Sequence, residues 1–172
     1  MKHEKPRLIL DATPLIHLAK AGLLEPTLKS FQITASERAL EEATRGQNHP
    51  DAVIIQAAAD QGHIKVHKPR DSQLVQNLMR HREIHRGEAE TMAAAAELHA
   101  PAVMDNGVAR AVANLYGIPT KPGTLYILFT LVSLGQLSPE TAETRLDQIV
   151  KTGLYLDSRT LIAAKEKLKS LQ

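Results

Sequence analysis

Arg7-Leu8-Ile9-Leu10-Asp11-Ala12-Thr13-Pro14-Leu15-Ile16-His17-Leu18-Ala19-Lys20 is the run of residues on which the fold turns. Leu8, Ile9 and Leu10 are consecutive aliphatics followed at once by turn and cap chemistry, which is how a short buried strand reads. Asp11 is thereby held at the strand's carboxyl end. Thr13 offers its hydroxyl to the free backbone N–H groups of a helix start, and Pro14 suits the first helical position, where no N–H is needed, so a helix is expected from there. In an open α/β sheet, ligands bind in the crevice beyond the carboxyl ends of parallel strands, and an acid fixed at that spot is a candidate functional group. Taken alone, Asp11 reads more simply as the residue that ends the strand or caps the helix.

Working outward, residues 31–34, 64–67, 102–104 and 118–120 read as further short strands. The alternation in Ile64-Lys65-Val66-His67 suits a half-exposed or edge strand, and Pro119 confines its own strand to an edge because it cannot donate to a central ladder. Helical spacing fills the intervals. Val53, Ile54, Ala57 and Ala58 mark the apolar face of a helix over about 50–61, and Ser72 caps a helix carrying Leu74, Val75, Leu78 and Met79. The clearest helix has Ala89, Met92, Ala93 and Ala96 at i, i+3, i+4 and i+7. Further helices follow Ser36, Gly107, Gly123, Ser138 and Ser158. Short apolar strands alternating with helices are the signature of a parallel sheet covered on both faces.

The composition narrows the function classes. At 172 residues the chain is long enough to bury a core as one domain, and its 43% hydrophobic and 23% charged content is ordinary for a globular protein. The aromatic residues are only Phe31, Tyr116, Tyr126, Phe129 and Tyr155, so stacking of bases on aromatic platforms is not the expected mode of contact. Without cysteine there is neither a disulfide nor a thiolate zinc site. No secretory pattern opens the chain, and the strongly apolar run 125–134 falls well short of the roughly 20 residues a membrane span needs. A cytoplasmic protein with no membrane partner is expected. Net charge is only +2, but Lys65, Lys68, Arg70, Arg80, Arg82 and Arg86 cluster between His63 and Arg86, either as a phosphate-contacting surface or as a solvated helix with its loops. His81 and His85 are spaced as a zinc pair would be, yet without a third ligand they read as part of that basic segment.

Asp11 and Asp105 both stand at carboxyl ends of strands and come together only if those strands are neighbours; Glu42 and Glu88 lie on helix segments that can face the same crevice. A cluster of carboxylates repels itself unless neutralised, and a hard divalent cation such as Mg²⁺ or Mn²⁺ is the simplest neutraliser. Such a site activates water for in-line attack on a phosphodiester.

Asp11-Ala12-Thr13-Pro14-Leu15-Ile16 resembles the opening motif of PIN-domain nucleases, in the branch that reads Asp-x-Ser/Thr-Pro-Leu-Ile. In the same order, Ala39-Leu40-Glu41-Glu42 is similar to the Val-x-x-Glu element and Arg86-Gly87-Glu88-Ala89-Glu90 to Gly-Glu-x-Glu. Val103-Met104-Asp105-Asn106-Gly107-Val108-Ala109-Arg110 is similar to Asp-Asp-x-x-Ala-Arg, and Gly117-Ile118-Pro119 and Gly123-Thr124-Leu125 continue the pattern. The resemblance implies a three-layer α/β/α fold with a central parallel sheet of about four to five strands, a single PIN-like domain over residues 1–172, and helices from about 138 packed on it.

It further implies a Mg²⁺- or Mn²⁺-dependent endoribonuclease, akin to the toxin halves of toxin–antitoxin pairs. RNA, an antitoxin protein and a second copy of the chain in a homodimer are the implied partners. Asp11, Glu42, Glu88 and Asp105 are the implied catalytic and metal-binding acids. Glu41 lies about 100° from Glu42 around a helix and Glu90 about 200° from Glu88, so neither substitutes for its neighbour. Thr13, Asn106 and Arg110 are the candidate substrate contacts: Thr13 through its hydroxyl, which also suits a helix cap, and Arg110 as a phosphate clamp or as a partner for one of the acids. Asn106 stands where the pattern has a second aspartate; it offers a carbonyl oxygen but no charge. That departure supports an alternative, a PIN-like scaffold that binds RNA or a protein without turnover. An aspartyl-phosphate phosphatase also places acids at strand ends, but it expects a second aspartate at position 13, where Thr13 stands.

Overall fold

The computed structural model describes residues 5–171; residues 1–4 and 172, inside the expected domain bounds, lie outside the described residues. Five strands, β1 (Arg7–Leu10), β2 (Gln32–Ser36), β3 (Ile64–His67), β4 (Ala102–Met104) and β5 (Thr120–Pro122), make one parallel sheet in the order β3-β2-β1-β4-β5. The helices described are α1 (Ala12–Lys20), α2 (Leu24–Ser30), α3 (Glu37–Ala43), α4 (Pro50–Asp60), α5 (Ser72–Met79), α6 (Arg86–Leu98), α7 (Gly107–Leu115), α8 (Gly123–Ser133), α9 (Pro139–Lys151) and α10 (Ser158–Ser170). They cover both faces, and the three-layer α/β/α architecture expected from the alternation is the observed one.

β1 is central because its three aliphatics are sealed on both faces. Residues of a strand point alternately to opposite sides, and here the two sides belong to two apolar clusters. Leu8, Leu10, Ile33, Ala35 and Val103 face the layer holding α1, α2, α8, α9 and α10. Ile9, Ala102 and Met104 face the layer of α5, α6 and α7. Helix α6 lies deep in that layer: every residue from Gly87 to Ala95 is buried, and its run of alanines lets its backbone come close to the sheet. α9 and α10 add Ala142, Leu146, Ile149, Ala164 and Leu168 to the first cluster. As the alternation in 64–67 implies, β3 is an edge strand; β5 is the other edge, as expected, but runs over Thr120–Pro122 instead of 118–120, so Pro119 lies just before it and its carbonyl accepts from Ala102 N–H.

The chain runs from β1 out to β3 on one side and then crosses to β4 and β5 on the other. The crevice between the carboxyl ends of β1 and β4 is therefore the topological switch point, the place where such sheets bind ligands. Asp11 N–H donates to the Val103 carbonyl at 3.1 Å, which ties the end of β1 to β4 there.

Three local expectations differ from the structure. Helix α1 begins at Ala12 with Asp11 as its N-cap, so Pro14 is the third helical residue and the exposed Thr13 caps nothing. Proline is still accommodated, because the first four N–H groups of a helix have no intrahelical partner. The cap of α5 is Asp71, whose carboxylate accepts from Leu74 N–H at 2.8 Å, and not Ser72. The buried stripe of α4 is Ala52, Ile55 and Ala58, while Val53 and Ile54 stand 53% and 48% exposed. Both stripes fit a helical period, and packing against α1, α3 and β3 selects the one with the smaller residues. Among the described residues no helix is long and apolar enough to cross a membrane.

The orientation of α4 is testable by urea denaturation. Ile55→Ala, at a site with no exposure, is expected to lower stability by about 2–5 kcal/mol, and Ile54→Ala by no more than about 0.5 kcal/mol. Equal losses would contradict the observed face.

Candidate active site

Asp11 shares the parity of Ile9 along β1 and so turns toward α6. Its carboxyl is only 6% exposed. Thr91, one turn into α6 from Glu88, donates its hydroxyl to Asp11 Oδ1 at 3.3 Å. Burial pushes the Asp11 pKa from 3.8 up to about 7; the Ala12 N–H and Thr91 draw it back, and the neighbouring carboxylates of Glu88 and Glu42 push it further up. Glu88 and Glu42 thus both act on Asp11 across one crevice.

Glu88 is fixed by the start of α6. Its Oε2 accepts from His85 N–H at 3.0 Å and its Oε1 from Asn106 Nδ2 at 2.7 Å. Asn106 caps α7: its Oδ1 accepts from Val108 and Ala109 N–H. The amide therefore turns its carbonyl oxygen to the helix and its NH₂ group to Glu88. The carbonyl available for ligation in the sequence reading is already engaged. Glu42 reaches the crevice from α3, whose N-cap Ser36 accepts from Ala39 N–H at 3.0 Å. Its Oε2 packs against Gly87, where an added Cβ would sit 2.5 Å away. Only glycine leaves room for that approach. Arg38 Nε donates to Glu42 Oε1 at 3.1 Å. Glu41 is turned outward to the other arm of Arg38, and Glu90 is held by Arg86 at 2.9 Å, so each paired acid has surroundings different from its neighbour's.

Asp105 does not join this group. One residue earlier than Asn106, it faces the opposite side of the sheet, where Oδ1 accepts from Thr124 N–H at 2.7 Å and Oδ2 from the Thr124 hydroxyl at 2.8 Å. His17 Nδ1, on buried α1, lies 3.2 Å from the same Oδ2. The carboxylate thus joins β4 to the start of α8 and to the last turn of α1. Gly123, at φ +56°, is required here because a Cβ would collide with the Asp105 carboxylate. Arg110 NH1 donates to the carbonyls of Met104 and Asp105 at 2.7 and 2.9 Å, clasping the end of β4. Thr13 stands exposed on the first turn of α1 beside Asp11. His81 lies in a turn, 3.2 Å from the Tyr116 hydroxyl, and His85 caps α6, so they share no helix face.

Sequence reasoning missed Thr91, Arg38, His17 and Thr124 as supporting residues. Arg38 was legible as an i, i+4 partner of Glu42, and Thr91 as a polar residue one turn from Glu88 in a helix of alanines; His17 carried no local signal. Among the described residues, no three His, Cys, Asp or Glu side chains are disposed to hold a metal ion together. The reason is visible in the partners: Glu42 is drawn toward Arg38, and Glu88 is occupied by Asn106 and His85.

A parallel sheet between two helical layers, with Asp11 and Glu88 buried at its switch point, defines a three-layer α/β/α domain. The chain belongs to the PIN-domain family: a family model with the description PIN domain matches residues 7–170. PIN domains are generally nucleases, which makes the protein a hydrolase at that level. A comparison with curated proteins found no match.

The raised Asp11 pKa has a sign that can be checked. The folded protein retains this proton up to about pH 7, whereas the unfolded chain releases it near 3.8. Folding therefore loses stability as the pH rises from about 4 to 7, by about 4 kcal/mol once Asp11 is ionised. In EDTA, the stability advantage of Asp11→Asn over the wild type is expected to grow across that interval and then level off. A difference that does not change with pH would contradict it.

Proposed function

We propose that the protein is a divalent-metal-dependent endoribonuclease whose metal site is formed by Asp11, Glu42 and Glu88. The observation that carries this reading is Asp11 itself. A carboxyl buried beside two further carboxylates is an expensive arrangement for a protein with nothing to bind there. The donor set is oxygen only, which fits Mg²⁺ or Mn²⁺ rather than a softer cation. Gly87 supports the same fit, because its missing side chain leaves the space through which Glu42 enters the crevice.

In this reading Asp11 and Glu88 are the ligands on α1 and α6, and Glu42 completes the set from α3. The cation supplies a lowered pKa for bound water and neutralises charge on the phosphodiester. Thr91 keeps the Asp11 carboxyl oriented through Oδ1, and the Ala12 N–H favours its ionised form. Asn106 holds Glu88 in one rotamer by donating to Oε1. Asp105, our fourth expected acid, acts here as a positioning residue: by holding Thr124 and His17 it fixes the end of β4 from which Asn106 projects. Thr13, exposed on the first turn of α1, is the substrate contact in this reading. Arg110, expected as a phosphate clamp, serves the β4 carbonyls instead. RNA as the substrate, and an antitoxin protein as partner, rest on the family resemblance.

A second reading, a scaffold that binds RNA without cutting it, draws on Asn106, which brings an amide NH₂ to Glu88 where a carboxylate would add a ligand. Incubating purified protein with single-stranded RNA in Mn²⁺ separates the two. The proposal expects cleavage that EDTA stops and that Asp11→Asn lowers by at least about a hundredfold, a loss of roughly 2.7 kcal/mol in transition-state stabilisation. Cleavage that survives EDTA or the substitution would sink it, and binding without cleavage at any Mn²⁺ concentration would establish the scaffold.

A further inference from the structure

Arg38 stands in an unusual place for a residue of no assigned role. It lies on α3, four residues before Glu42, and one guanidinium serves two carboxylates: Nε donates to Glu42 Oε1 at 3.1 Å and NH1 to Glu41 Oε2 at 3.2 Å. The other oxygen of Glu42 is packed against Gly87. Arg38 therefore holds one oxygen of this acid, while the other faces the open side of Gly87. Beside the pair lies a polar recess of about 230 Å³ lined by Glu37, Arg38, Glu41, Arg86 and Glu90. Arg86, the second guanidinium in that recess, is already bound to Glu90.

A guanidinium hydrogen-bonded to a carboxylate oxygen holds the lone pairs a cation would use, and its unit charge repels a divalent cation at that point. Glu41, on α3 and lining the recess, already accepts from the other arm of Arg38 and offers the displaced guanidinium a second carboxylate; Glu37 is paired with Lys68. We propose that Arg38 is a built-in competitor for the metal site: it neutralises Glu42 in the metal-free protein and shifts wholly onto Glu41 when a divalent cation takes its place. This rests on the reading of Asp11, Glu42 and Glu88 as the metal site, and it adds a residue that sets how readily that site loads. Arg38 is a positioning residue, because it acts through Glu42. Its ion pairs are partly exposed and add little to stability, so replacing it leaves the fold intact.

The test is calorimetric titration of Mn²⁺ into metal-free, full-length protein. Arg38→Gln is expected to tighten Mn²⁺ binding by about threefold to tenfold, the size of removing one positive charge near a divalent ion in a well-solvated site. The gap should narrow as salt is added. Arg38→Lys, which keeps the charge, is expected to stay near the wild type, and Arg86→Gln, which frees Glu90 instead of Glu42, to leave the affinity unchanged. Equal or weaker binding by Arg38→Gln would overturn the proposal and show that Arg38 orients Glu42 for the cation. Asp11→Asn reports separately on the underlying reading. If it abolishes Mn²⁺ binding while the Arg38 variants match the wild type, the Arg38 proposal alone fails; if it leaves binding intact, the metal site lies elsewhere and both fail.

Discussion

A carboxyl group at the end of the innermost strand is the constraint to which the rest of this structure answers. Asp11 is placed by the burial of Leu8, Ile9 and Leu10, and the same burial takes its side chain out of water. Loss of hydration is the largest influence on its ionisation, larger than either neighbouring carboxylate. The fold offsets part of this with the Ala12 N–H and the Thr91 hydroxyl, and by starting α1, α6 and α7 around the crevice so that the positive ends of their dipoles face it. It leaves the remainder uncompensated. In the proposed reading, a divalent cation would neutralise what remains.

The two-residue period of the strands decides which acids meet. Ile9 and Asp11 on β1 and Ala102, Met104 and Asn106 along β4 share one face of the sheet. Val103 and Asp105 share the other. Adjacent residues 105 and 106 are therefore separated by the sheet itself. Asp105 becomes a strut between β4, α8 and α1, with Gly123 providing the space for it. Asn106 becomes the residue that touches Glu88. A charge at position 105 thus does not replace the one missing at position 106.

Much of this was legible in the sequence, for physical reasons that differ from element to element. The strand, the acid and the helix of residues 7–20 were readable because consecutive aliphatics, an acid and a proline leave few alternatives. The edge position of β3 followed from alternation, whereas β5 is an edge strand that begins just after Pro119, the residue expected to confine it. The buried face of α4 did not, since two overlapping apolar stripes both have helical period and only the neighbouring helices choose between them. Caps shifted by two residues from Thr13 to Asp11 and by one from Ser72 to Asp71, because each turn offered two oxygen-bearing side chains and the backbone geometry picks one. The division of labour between Asp105 and Asn106 was hidden for a different reason. It depends on which face of β4 meets α6, and that is fixed by tertiary packing rather than by any motif.

Asp11 and Glu88 therefore meet on the α6 side of the sheet, Glu42 reaches them from α3, and Asp105 serves the other side. An anomalous-scattering map from a crystal grown with Mn²⁺ tests this most directly. The account predicts a peak bounded by the carboxylates of Asp11, Glu42 and Glu88, with Asp105 still bonded to Thr124 and His17. A peak coordinated by Asp105, with Glu88 outside the coordination sphere, would contradict it.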